Sequence, residues 1–185
     1  MINYYSGTYN YKGIDMPEGG VMTNKSPSND VKDKVHGWLM EDGWKLQKYA
    51  LPDASWAFVA EDPCNRKIVV AQKVGRDDQL LMQATVIPTE DITTELDQLS
   101  EDERNNFLWD LRFELLRAGI DFDGVTVPLK RVEVMMRIAS DALTKDTFVQ
   151  RLGQVHKGVI LVQWMVARKF AKPLPQKEIG FRAQT

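Results

Sequence analysis

The sequence carries one cysteine and two histidines in 185 residues. The lone thiol, Cys64, excludes an internal disulfide, and with His36 and His156 far from it in sequence it leaves no clustered ligand set for a structural zinc. The glycines never assemble into GxGxxG or a P-loop, so no phosphate cradle is readable. No apolar run approaches the ~20 residues that cross a bilayer, and no basic-then-apolar leader opens the chain. Neither charge sign dominates: 24 Lys and Arg against 26 Asp and Glu give a net charge of -2, which provides no general attraction for phosphate backbones. The expectations are no metal, no cofactor, no nucleic acid, no membrane, and a reducing, cytoplasmic setting.

Catalytic patterns are as scarce. Cys64 stands in a Pro-Cys-Asn turn with no helix amino end to lower its pKa, so it is not read as a nucleophile. Asp121-Phe122-Asp123-Gly124 begins like a calcium loop, yet no ligands follow in register to a terminal Glu, and a turn explains it. Glu101, Asp102 and Glu103 read as first-turn charges of a helix rather than an acid/base pair. The chain is therefore expected not to be an enzyme.

What is present is a core: 43% hydrophobic and 27% charged residues fit one globular domain. Residues 1–29 are rich in Tyr, Asn, Gly, Ser and Pro without apolar rhythm and read as a tail, residues 30–172 as a single α+β domain, and 173–185 as a second tail. Tyr4, Tyr5, Tyr9 and Tyr11 offer the alternative of a docking arm. Glu18-Gly19-Gly20 just ahead of Met22 also fits a translation start at Met22.

The spacing predicts a first helix over Val31–Asp42, capped by Asp30 and stopped by Gly43, with Val31, Val35, Trp38 and Leu39 inward. Four strands follow, Trp44–Leu51, Ser55–Glu61, Arg66–Lys73 and Gln79–Ile87, whose alternation predicts an antiparallel meander with one buried side. A second helix starts at the capping box Ser100–Glu103 and ends at Gly119, burying Phe107, Leu108, Leu111, Leu115 and Ala118. Two more strands are expected at Gly124–Leu129 and Arg131–Ala139. A third helix begins after Thr144 and stops before Pro173, with Phe148, Leu152, Val155, Val159, Val162 and Val166 as its seam.

Both long helices have a second apolar face. Trp109, Phe113 and Leu116 project opposite the buried stripe of the second helix, and exposed aromatics of this kind are interface anchors. They predict a homodimer. Ile160, Leu161, Trp164 and Met165, within "GVILVQWMVA" at 158–167, make the end of the third helix apolar all round; with Trp38 they form either core, packed on the first helix, or a client groove.

The element order α-β-β-β(-β)-α-β-β-α and the stretch "DALTKDTFVQRLGQV" at Asp141–Val155 resemble the type III secretion chaperone-like fold, with its YbjN-like and archaeal relatives, over Asp30–Lys172. The resemblance implies a non-enzymatic protein, often dimeric, that binds segments of other proteins on apolar grooves. The leading expectation is thus a chaperone-like protein-interaction module with a protein partner or client. The alternative is a small-ligand-binding domain or a non-catalytic subunit of an enzyme complex.

Overall fold

A computed structural model of the chain describes residues 27–170. Residues 1–26 of the expected tail at 1–29, the Met22 start and the expected tail at 173–185 lie outside the described residues. Helix α1 spans Pro27–Glu41 and is followed by strands β1 (Lys45–Lys48), β2 (Ala54–Glu61), β3 (Lys67–Lys73) and β4 (Gln79–Val86). Helices α2 (Glu90–Gln98) and α3 (Glu101–Arg117) come next, then β5 (Asp121–Asp123), β6 (Val132–Ala139), a 3-10 turn at Ser140–Ala142 and helix α4 (Lys145–Phe170). The strands form one six-stranded sheet in the order β1-β2-β3-β4-β6-β5. Every pairing is antiparallel.

Alternation sorts the strands onto two faces. Phe58, Val70, Leu80, Met82, Ala84, Val134, Met136 and Ile138 point into the core. Helix α4 lies over β4 and β6, α1 covers β1 and β2, and α3 stands beside α4 at the β5 edge. All the helices that cover the sheet share this core, so the fold is α+β in two layers. On the other face half-buried Val59, Val69, Gln83 and Met135 align across four strands, beside buried Ala57, Ala71 and Leu81 and an ion pair in which Lys67 reaches Glu61 at 3.5 Å.

Local chemistry explains the element ends. At α3, Ser100 Oγ accepts from the Glu103 amide at 3.3 Å while Glu103 Oε2 accepts from the Ser100 amide at 3.2 Å, the reciprocal box read from sequence. Thr144 Oγ1 accepts from the Thr147 amide at 3.1 Å and so caps α4. Gly43 and Gly119, at φ +77 and +67, stop α1 and α3 as expected. Burial of Leu108, Leu111 and Leu115 then stabilises α3 by about 1.5–3 kcal/mol per side chain.

Several boundaries differ from expectation. Helix α1 starts at Pro27, so residues 27–29 belong to it rather than to a tail, and Asp30 lies in its first turn, paired with Lys34 at 2.6 Å. Helix α2 was not expected. The segment Gly124–Leu129 is a loop, not a strand: β5 is Asp121–Asp123, and Pro128 has no N–H to offer a ladder. Gly124 leaves the strand at φ +78, where a Cβ would stand 2.6 Å from the Arg131 carbonyl oxygen, so only glycine fits. Ala118 is the C-cap of α3 and is exposed, not part of its buried stripe.

Candidate interaction surface on helix α3

Because Phe107, Leu108, Leu111 and Leu115 take the inner face of α3, positions 109, 113 and 116 must face outward. They do: Trp109, Phe113 and Leu116 are 53%, 54% and 62% exposed. Trp109 and Phe113 stack with ring centres 5.7 Å apart. Arg112 lies over the Trp109 ring at 4.7 Å, and its Nε donates to the Val125 carbonyl at 3.0 Å. The aromatic pair is therefore fixed in place before any contact with another molecule.

Hollows flank this stripe on both sides. Toward α4, Phe107, Phe113 and Met165 line an open groove of about 440 Å³ whose rim includes Asp110, Arg117 and Arg168. Toward the sheet edge, Leu116, Ile120, Phe122 and Met135 line a second, of about 470 Å³. The exposed stripe of Trp109, Phe113 and Leu116 thus lies between a groove with many charged residues on the α4 side and a hollow at the β5 edge.

The residues expected as groove or core on α4 divide. Leu161 and Met165 pack against the core, Ile160 is half-buried, and Trp164 stands 71% exposed on the outer face. Their neighbour is not α1, as expected, but the α2–α3 side, where Phe107 meets Phe170 edge-on at 5.6 Å. Helix α1 reaches the opposite end of α4: Trp38 lies 5.8 Å from Phe148, and Lys145 pairs with Glu41 at 2.8 Å. Crossing geometry decides which turn of a long helix a neighbour touches, and residue spacing within one helix does not report it.

A polar cluster sits where the β2–β3 turn meets α4. Asp62, buried, accepts from the Cys64 and Arg66 amides at 2.8 and 2.9 Å and from Arg66 Nε at 2.6 Å. Burial works to raise its carboxyl, but the Arg66 bonds and charge outweigh it and hold the pKa below the ordinary value. His156 stacks on Trp44 with ring centres 5.7 Å apart, and its Nε2 stands 4.0 Å from Asp62 Oδ2 without a hydrogen-bond partner. Burial, then the nearby Arg66 charge, depress its pKa, against the pull of Asp62. Cys64 itself is exposed in the turn.

Among the described residues no three of His, Cys, Asp and Glu come together in a metal-binding group, and no helix is long and apolar enough to cross a membrane. Sequence reading missed Arg112, Phe122 and Met135. Arg112 had a signal in its place three residues after Trp109, but its carbonyl partner, Val125, lies in a loop whose apolar residues alternate as in a strand.

Helices on one face of an open antiparallel sheet, with an apolar helix stripe left outside, define a small α+β domain built around surfaces. Residues 31–166 match the family model described as "Uncharacterized conserved protein (DUF2299)", and the chain belongs to that family. Its fold is similar to that of an uncharacterized protein from Methanothermobacter thermautotrophicus, with 27% identity and a TM-score of 0.70 over 75% of this chain and 98% of the other. It is also similar to YbjN from E. coli, with 14% identity and a TM-score of 0.45 over 74% of this chain and 92% of the other. No curated protein matches the chain.

Proposed function

We propose that the chain is a non-enzymatic, chaperone-like interaction module that works in the cytoplasm and associates with itself through α3. The observation that carries this reading is the pre-positioned Trp109–Phe113 pair, exposed in the single chain and continued by Leu116. Large aromatics ordered beforehand lose little side-chain entropy on contact and anchor interfaces. The outer face of α4, with Ile160 and Trp164, is a second apolar surface for a protein client. The reading as a small-ligand domain has less support, because the hollows are open grooves with charged rims rather than enclosed pockets.

Sedimentation equilibrium over a micromolar concentration series tests the reading. Wild type is expected to run at twice the 21.2 kDa chain mass and Phe113→Lys at the chain mass, with an unchanged unfolding midpoint at low concentration. A wild type that stays monomeric throughout removes self-association through α3.

A further inference from the structure

We infer that two copies of this chain pair their α3 helices antiparallel about a twofold axis beside Phe113, setting Asp110 of each chain against Arg117 of the other. The inference rests on the reading of α3 as a docking surface and names its occupant and register. In a twofold interface the same patch meets itself, so each chain must carry both a protruding group and the hollow that receives it. The α3 strip does. Trp109 protrudes at its amino end, and the hollow lined by Leu116, Phe122 and Met135 lies at its carboxyl end.

Helical geometry fixes which flank meets which. Positions 109, 113 and 116 form one stripe, while 110 and 117 both lie on the flank facing the α4 groove. Asp110 precedes Phe113 by three residues and Arg117 follows it by four, so they straddle the axis at about 5 Å on either side. A twofold perpendicular to the helix keeps each flank on its own side and reverses direction. Asp110 therefore faces Arg117 of the other chain twice, and each Trp109 reaches the other chain's Leu116 hollow.

Charge supports this pairing over the parallel one. Among the described residues Asp110 has no ion pair, and Arg117 is paired only with Glu114 of its own helix in an exposed contact, which is easily exchanged. Parallel helices would instead bring Asp110 toward Arg112, whose guanidinium is already committed to the Val125 carbonyl and the Trp109 ring. Antiparallel packing also sets the positive end of each helix dipole beside the negative end of the other.

The test uses full chains in a Cys64→Ser background. Asp110→Arg and Arg117→Asp alone are each expected to weaken the dimer on the order of tenfold or more, and the double reversal to bring affinity back near wild type. Phe113→Cys is expected to form a disulfide-linked dimer under mild oxidation, since only residues at the axis bring their Cα atoms within bridging distance. A dimer that ignores both charge reversals and leaves Cys at 113 unlinked overturns this register while leaving α3 as a docking surface. A wild type that is monomeric overturns both.

Discussion

The Arg112 guanidinium lies 4.7 Å from the centre of the Trp109 ring while its Nε donates to the Val125 carbonyl at 3.0 Å. One side chain thus ties the loop before β6 to α3 and holds the Trp109 indole against it. Arg112→Ala leaves that carbonyl without its donor and frees the indole. Urea unfolding is expected to show a loss of about 1–3 kcal/mol, and self-association to weaken several-fold. Arg112→Lys keeps the charge but not the planar fork, so it is expected to recover only part of either loss; full recovery would mean that charge alone matters.

Two glycines of α4 are expected to respond in opposite directions. A Cβ at Gly158 would meet Ile120 Cδ1 at 3.1 Å and Val134 Cβ at 3.3 Å, so α4 sits this close to the sheet because the side chain is missing. Gly158→Val is expected to destabilise by about 1–3 kcal/mol through overpacking. At Gly153 nothing lies within 4 Å of a Cβ, and Gly153→Ala is expected to gain up to about 1 kcal/mol from helix propensity. Thermal midpoints moving the same way in both variants would contradict this placement of α4.

Gln72 is fully buried and bridges two other polar groups: its Oε1 accepts from Trp56 Nε1 at 2.9 Å, and its Nε2 donates to the Asp77 carbonyl at 3.0 Å. Replacement by leucine strands a buried indole N–H. The expected cost is about 1–3 kcal/mol, largely absent when Gln72→Leu is made together with Trp56→Phe. If the double substitution costs as much as the sum of the singles, the pair is not coupled.

The pH dependence follows from His156. Its folded pKa is depressed, first by burial and then by Arg66, so the unfolded chain, titrating near 6.5, takes up the proton first. Stability is therefore full above about pH 6.5 and falls as the pH drops from there toward the folded pKa. The carboxyls of Asp62, Asp53, Asp78 and Glu103 are held below their ordinary values, so their losses come at lower pH. Urea midpoints at pH 7 and pH 5.5 should differ for wild type and differ less for His156→Phe, which keeps an aromatic ring on Trp44. Equal drops in both proteins would place the titrating group elsewhere.

Much of this fold is legible in sequence because its signals are local. The capping box at Ser100, the cap at Thr144 and the seam from Phe148 to Val166 each depend on residues within a few turns of one another. Helix α2 escaped because it buries only Leu96, too little to mark an apolar period over nine residues, although Glu90 and Asp91 after Thr89 were a start signal. The segment after β5 misled because Val125, Val127 and Leu129 alternate as a strand does, while Gly124 and Pro128 prevent pairing. The outward stripe of α3 was readable from helical period alone. Its fixation by Arg112 and the hollow at Phe122 and Met135 were not, since both depend on chain segments brought together by the sheet.

Covalent footprinting of the intact protein at micromolar concentration addresses the central claim most directly. In the single chain Trp109, Phe113 and Trp164 are 53%, 54% and 71% exposed, so without a partner all three should label readily. A covered α3 predicts fast labelling at Trp164, protection at Trp109 and Phe113, and loss of that protection on dilution. Comparable labelling at all three positions, unchanged by dilution, would contradict it.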